Sequence, residues 1–285
     1  MLFKIFELIK YKLVRLIERN PKINLLIYNN IRFFKFLLPH EKDFYGMLLL
    51  CKNQKKLVFL DIGANLGISS LGFRQLGFKN TIYAFEPNYY LYDRFLKKIS
   101  KKYTNIFVKN IALGNNNSTK ILYMPFYRSK CIHYFCSFNK KYLINSIKIT
   151  FPNLLNEIVI KKKRIKCRRF DDLNLKITPH FVKIDTEGHD LFVLKGLLKT
   201  IKKFKPIFLI EYNKKYYKYV KKILKNYIPY IYDFKENKMF KLNKAINTLQ
   251  VARTNKKNYL SIRNIYFIPK NKNFCNDNIN NYPSL

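Results

Sequence analysis

Val58–Ser70 reads VFLDIGANLGISS. Val58, Phe59 and Leu60 have the character of a buried strand, which meets a carboxylate at Asp61 and then two glycines, Gly63 and Gly67. A strand that delivers an acid and then sheds its side chains makes room for a ligand to touch main chain.

Outward from that turn the chain alternates. KLVFLDIG is strand-like and LGISSLGFRQLG helix-like; TIYAFEP and NYYLYDRFLKKIS repeat the pair. NIFVKNIALG follows, then HFVKIDTEG with HDLFVLKGLLKTIKKF, and KPIFLIEYN with KKYYKYVKKILKN. Near-continuous apolar strands alternating with helices predict a mostly parallel sheet covered on both faces. Such sheets bind ligands beyond the carboxyl ends of their strands, near the point where strand order reverses. Asp61, Glu86, Asp185 and Glu211 all fall at those ends. Residues 115–170 break the alternation with short strand-like pieces around an aromatic, basic stretch. YIPYIYDFKENKMFKLN and NIYFIPK read as a hairpin and a closing strand.

The 285 residues carry a formal charge of +39, with 48% hydrophobic residues, enough for a packed core. That charge points to anionic partners such as nucleic acid, anionic lipid or phosphorylated substrates. AT-rich coding, which favours Lys, Asn, Ile, Tyr and Phe, would produce the same charge without any such partner. The five cysteines are scattered, and Cys131-Ile-His-Tyr-Phe-Cys136 lacks the second pair that a zinc site needs, so free thiols are expected.

No run reaches the ~18 apolar residues of a membrane span. Lys4, Glu7, Lys10 and Lys12 break any signal-peptide core, so a cytoplasmic protein is expected. Residues 2–19 place Leu2, Ile5, Phe6, Ile9, Leu13, Leu16 and Ile17 on one helical face, until Asn20-Pro21 stops the helix. That face suits peripheral contact with an anionic inner membrane surface, or cover for the domain that follows.

The turn D-I-G-A-N-L-G is neither the dinucleotide fingerprint nor the phosphate loop; it has no Lys for phosphate and opens with an acid. A cationic or zwitterionic nucleoside suits it better. Glu86, closing the next strand before Pro87, is placed to accept hydrogen bonds from ribose hydroxyls. Together the two features point to an adenosine-containing cofactor.

FLDIGANLGISS, YAFEPN, NIALGN, RRFDDL and VKIDTEGHDLFVLKGLLKTIKKFKPIFLIEYN follow in this order over about Leu57–Asn213. In these motifs the chain resembles FkbM-type S-adenosylmethionine-dependent methyltransferases. The resemblance implies a class I methyltransferase fold, Rossmann-like, with a mostly parallel seven-stranded sheet and helices on both faces. Residues 1–54 read from their own pattern as an N-terminal helical extension, a departure from the family, and 55–272 as the methyltransferase domain. Residues 115–170 are its variable acceptor-side segment, and 273–285 a frayed tail. S-adenosylmethionine is the implied cofactor. Asp61, Gly63, Ala64, Asn65 and Gly67 are implied for its methionine half, Glu86 for its ribose, and Asn110 with Ala112 beside its adenine. The implied acceptor is a hydroxyl of a sugar, surface glycan or glycan precursor, phosphorylated or nucleotide-linked forms included.

Methyl transfer to an alcohol rests on near-attack geometry, helped by a base that removes the hydroxyl proton. Asp185, Glu187, His189 and Glu211 are the candidate catalytic residues, and His189 has the best ordinary pKa for that work. Asp185, Glu187 and Glu211 also offer a hard oxygen set for Mg²⁺, but no spacing demands a metal and none is expected. Asp171 and Asp172 of RRFDDL are expected to cap or orient a loop. His133, Tyr134, Ser137 and Phe138 are candidates for the acceptor pocket.

Two other function classes compete. A nucleic-acid methyltransferase fits the charge, but base-directed enzymes often carry an Asn/Asp-Pro-Pro-aromatic segment where this chain has Asp185-Thr-Glu-Gly. A non-enzymatic basic protein binding membrane or nucleic acid is opposed by the intact Asp61, Gly63, Gly67 and Glu86.

Overall fold

The computed structural model describes Ile9, Lys12, Leu13, Leu16, Pro39 and residues 41–51, 56–128, 130–234, 236–242, 264–270 and 279–281. Most of the expected N-terminal helix 2–19 and most of the tail lie outside the described residues.

Thirteen strands are described. The first six are β1 (Val58–Ile62), β2 (Thr81–Phe85), β3 (Ile106–Lys109), β4 (Ala112–Leu113), β5 (Ser118–Tyr127) and β6 (Lys130–Cys131). Then come β7 (Ile158–Arg168), β8 (Phe181–Ile184), β9 (Ile207–Glu211), β10 (Tyr227–Asp233), β11 (Lys238–Lys241), β12 (Asn264–Pro269) and β13 (Ile279–Asn281).

The large sheet runs β13-β11-β10-β12-β9-β8-β1-β2-β3. Its five strands from β9 to β3 are parallel, and β12 is antiparallel to both β9 and β10. The seven strands β3 to β10 are those the sequence foretold. The sheet has nine strands rather than seven, because β11, the return strand of the expected hairpin, folds back on β10 and β13 pairs along β11. Strand order reverses at β1, between β2 and β8, so the crevice of the sheet opens past Ile62.

Period two divides β1 between two cores. Phe59 joins Phe73, Phe181, Tyr266 and the preface residues Phe44, Met47 and Leu50 on one face. Leu60 and Ile62 join Val182, Ile184, Leu194 and Phe208 on the other. Helices Ile68–Gln75 and Lys97–Lys102 cover the first face. Asp190–Lys195, Leu198–Phe204 and Lys214–Ile223 cover the second. Asp61 therefore shares the face of Phe59, and Lys183 that of Phe181. Residues 41–51 are tied to the domain as well: Asn264 donates to Glu41 and Asp43 across the sheet.

The middle segment is more regular than its sequence suggests. β5 and β7 pair antiparallel over ten consecutive positions, within a four-stranded sheet of order β4-β7-β5-β6. β7 hides its period because Lys161 to Arg164 are all exposed, so apolar alternation is lost where the ladder is longest. One patch of this sheet buries Ala112, Leu122, Ile165 and Cys167. Another packs Tyr127 with Ile132, Leu143, Ile147 and Phe151, closed by helix Lys140–Thr150.

Candidate functional site

A cavity open to solvent lies where the small sheet meets the reversal point of the large one. Gly63, Asn65, Glu86, Pro87 and Ala112 line one side; Asp185, Thr186, Glu187 and His189 line the other. Leu122, His133, Cys136, Ser137 and Phe138, all from the middle segment, complete the wall.

The turn after β1 is built by close backbone approach. Gly63 has φ +82°, and a Cβ there would lie 1.9 Å from the Asp185 carbonyl oxygen. Its N–H and that of Ala64 both donate to the Phe85 carbonyl. Gly67 serves packing: a Cβ would meet Ile99 at 2.4 Å and Leu96 at 2.9 Å. Ala64 is buried in the first core.

Glu86 is buried, and its carboxylate accepts from the backbone N–H groups of Asn65 and Asn88, both at 2.8 Å. Burial pushes its pKa up to about 7, against the pull of those two donors. Asn110 donates to the carbonyls of Glu86 and Pro87, fixing the turn rather than lining the cavity. The Oδ1 of Asn65 is buried with no hydrogen-bond partner among the described residues, a gap that a ligand donor would fill.

Asp61 does not line the cavity. It is wholly buried, accepts from Ser70 Oγ at 2.6 Å, and sits 3.9 Å from Lys183 Nζ. Lys183, also buried, donates to Asp185 Oδ2 at 3.1 Å. Burial pulls the Lys183 pKa down, but Asp185 and Asp61 outweigh it and hold the pKa above the ordinary range. Sequence reasoning passed over Lys183, although a lysine inside an apolar strand, two residues before an acid, already asks for buried partners.

The T-E-G turn that follows is held from below and from the side. Asp190 accepts from both the N–H and the hydroxyl of Thr186, at 2.9 Å each. Glu187 adopts φ +50° and Gly188 φ +86°, and the ring of Tyr142 packs where a Gly188 Cβ would stand. Ser137 Oγ donates to the Glu187 carbonyl at 2.7 Å, so the middle segment clasps the turn directly. Tyr142 Oη lies 3.4 Å from Glu187 Oε2.

His189 is buried in an aromatic stack, 5.0 Å from the Phe138 ring and 4.8 Å from that of Phe192. Its Nε2 has no hydrogen-bond partner among the described residues and faces Gly114, where a Cβ would stand 3.1 Å away. Burial, reinforced by the nearby Lys120, lowers its pKa to about 4. The expectation of an imidazole titrating near its ordinary value does not survive that environment. Gly114 also lets Gly196 approach: a Cβ on Gly196 would be 2.0 Å from the Gly114 carbonyl. The glycines of NIALG and VLKG thus seat helix Asp190–Lys195 against β4.

Glu211 is not brought to this cavity. It lines a separate, smaller one with Asp190, Tyr212, Asn213, Tyr216 and Tyr217. Among the described residues no group of three or more His, Cys, Asp or Glu is arranged to hold a metal. Tyr134 lies outside the lining, while His133, Ser137 and Phe138 are in it. Asp171 caps helix Leu198–Phe204, accepting from the N–H groups of Lys199 and Thr200 and from the Thr200 hydroxyl. Cys131 and Cys136 are free thiols 3.7 Å apart, and Cys136 lines the cavity.

Residues 61–239 match the family model of the methyltransferase FkbM domain. No curated protein is significantly similar to the chain. One similar solved structure is a methyltransferase FkbM from Methylobacillus flagellatus KT, with 17% identity and a TM-score of 0.45. The alignment covers 78% of this chain and 47% of that one, so the chain spans about half the length of this relative. A precorrin-6y C5,15-methyltransferase from Geobacter metallireducens GS-15 aligns at 14% identity and TM-score 0.36, over 79% of this chain and 84% of its own.

Proposed function

The chain belongs to the FkbM methyltransferase family, and from that premise we propose that it transfers a methyl group from S-adenosylmethionine to a hydroxyl of a sugar, surface glycan or glycan precursor. The observation that carries the reading is the joint lining of one cavity by Gly63, Asn65 and Glu86 from one side and Asp185, Glu187 and His189 from the other.

The residues suit the cofactor. When bound, S-adenosylmethionine supplies an electrophilic methyl group on a positively charged sulfur. Glu86 offers carboxylate oxygens to ribose hydroxyls, and Asn65 Oδ1 a buried acceptor. Ala112, Ile111 and Leu113 give an apolar wall for a base. Asp61, Lys183 and Asp185 together carry a formal charge of −1, matched to a ligand whose net charge is +1.

For the acceptor, Glu187 is the group we assign as proton acceptor. Asp185 is bonded to Lys183, and a histidine with a pKa near 4 is a weak base at neutral pH. Phe138 and the His189–Phe192 stack supply flat apolar faces of the sort sugars stack on. Lys120 lies over Phe192 at 5.5 Å and suits an acceptor bearing phosphate. Peripheral contact with anionic membrane on the cytoplasmic side is part of the same reading. In its support, Ile9, Leu13 and Leu16 are helical and exposed, at 61%, 41% and 66%. Among the described residues no helix is long and apolar enough to cross a membrane.

The test is calorimetric titration of the whole chain with S-adenosylmethionine, followed by incubation with a panel of sugars, sugar phosphates and nucleotide sugars. Binding, and release of S-adenosylhomocysteine that depends on one of these acceptors, is the expected result. Cofactor binding with turnover only on DNA or RNA would replace the acceptor assignment. Sedimentation with phosphatidylglycerol vesicles but not phosphatidylcholine vesicles, lost in Ile9→Glu/Leu13→Glu, is expected for the membrane contact.

A further inference from the structure

Lys183 is one of the few wholly buried charged side chains in the described residues, and its partners are Asp61 on β1 and Asp185 just past the end of β8. β1 and β8 pair so that Asp61 stands in register with Lys183, and Asp185 follows two residues later on the same face. The side chains of Asp61 and Lys183 are 0% and 2% exposed, whereas that of Asp185 is 28% exposed and reaches the cavity. The three charges thus form a row, negative, positive, negative, whose last member alone meets a ligand.

Stability does not explain such a row. Buried ion pairs recover little beyond their desolvation cost, and apolar residues of similar volume usually serve as well. The neighbours of Lys183 on β8 are Phe181, Val182 and Ile184, all wholly buried. β1 and β8 are already joined by their backbone ladder, which Asp185 N–H extends by donating to the Ile62 carbonyl. What the lysine adds is direction. By holding Asp185 Oδ2 it restrains the rotation of a carboxylate that lines the cavity. Asp61, locked by Ser70, holds the lysine from behind.

We propose that Lys183 is a positioning residue, which with Asp61 aims the Asp185 carboxylate at the cationic aminoacyl end of the cofactor. Asp185 is then the counter-ion of that end and not the base of the reaction. The inference rests on the reading of this cavity as an S-adenosylmethionine site and goes one step inside it.

The experiment compares two ligands on the full chain by calorimetry. S-adenosylmethionine carries the aminoacyl end with its ammonium and sulfonium; 5′-methylthioadenosine keeps the adenosine half and carries neither cation. Lys183→Met, close to lysine in volume, should weaken S-adenosylmethionine at least about 10-fold and leave methylthioadenosine within about twofold. Asp185→Asn should give the same selective loss, and the double variant should lose little more than either alone. Where Lys183→Met leaves Asp61 buried without its cation and the chain does not fold, Asp61→Asn/Lys183→Met removes both buried charges together. That variant must show the same selective loss.

A folded variant that binds both ligands as the parent does, or loses both equally, overturns the positioning role while the cofactor reading stands. Additive losses in the double variant overturn it too. A parent protein that binds neither ligand overturns the reading of the site, and this inference with it.

Discussion

The two walls of the cavity hold charge in opposite ways. On the wall built by β1, β2 and β8, Asp61, Lys183 and Glu86 are buried and engaged, and the partly exposed Asp185 is engaged as well. Asp61 and Asp185 share Lys183, and Glu86 takes two backbone donors. The middle segment, which supplies the other wall, carries its charge away from the lining: Lys161, Lys162, Lys163 and Arg164 project from β7 into solvent, with no carboxylate in ion-pair range among the described residues. On the proposed reading the first wall meets one cofactor of constant structure and can be fixed by chemistry. The second is held by packing and a few backbone clasps, such as Ser137 on the Glu187 carbonyl. The cofactor side is therefore the one whose changes should be catastrophic and specific.

Gly63→Val is the largest test of that contrast. The branched Cβ collides with the Asp185 carbonyl and resists φ +82°, so the ends of β1 and β8 must part. S-adenosylmethionine binding should fall below detection, with the far-ultraviolet circular dichroism of the sheet largely kept. Retained affinity would mean that the close approach of the two strands is not needed for the site.

Glu187→Gln comes next, on the seam between the walls. As proton acceptor its loss should cut turnover about 10²–10⁴-fold, with cofactor affinity unchanged. His189→Ala should remove no ionisation between pH 5.5 and 8 from the rate profile, because the parent imidazole is already neutral there. An ionisation near 6.5 that vanishes with His189 would return the base role to the histidine.

Glu86→Ala should weaken S-adenosylmethionine by ~1–3 kcal/mol, the usual cost of losing hydrogen bonds to a charged group. The parent should also bind more tightly as pH rises from 6 to 8. The folded carboxyl has its pKa raised to about 7, so it is protonated below that value and fully able to accept ribose donors only above it. The same raised pKa contributes stability that is present below the unfolded value near 4.5 and lost as pH passes 7. Glu86→Gln should flatten the affinity profile. A profile unchanged by Glu86→Gln would assign the titration to another group.

The two walls also differ in how far the sequence discloses them. The parallel sheet was legible because strands buried on both faces must be apolar, and the acids at their ends were conspicuous exceptions. Gly63, Asn65 and Glu86 declared themselves as a turn and a strand end. Lys183 did not, since lysines are everywhere in a chain of charge +39 and only burial singles this one out. Glu211 misled for the complementary reason. Its strand-end position is the same as that of Asp185, but β9 lies one strand further from the reversal point and its end opens on another cavity. Gly114 and Gly196 were visible only as letters in a motif, because their use is a backbone contact between segments far apart in sequence.

The smallest expected effect belongs to the basic edge of β7. Replacing Lys162 and Arg164 by Gln should move the melting temperature by little, because exposed substitutions away from special contacts usually fall within about ±0.5 kcal/mol. S-adenosylmethionine affinity should not change at all, since neither residue lines the cavity. Lowering salt should separate the two walls further. At low ionic strength a sulfated polysaccharide should bind the neutralised variant more weakly than the parent, while at high salt the two proteins should converge, as expected for screened surface charge. A drop in cofactor affinity on neutralising these exposed positions would show that the walls are coupled, and that the basic strand is part of the site after all.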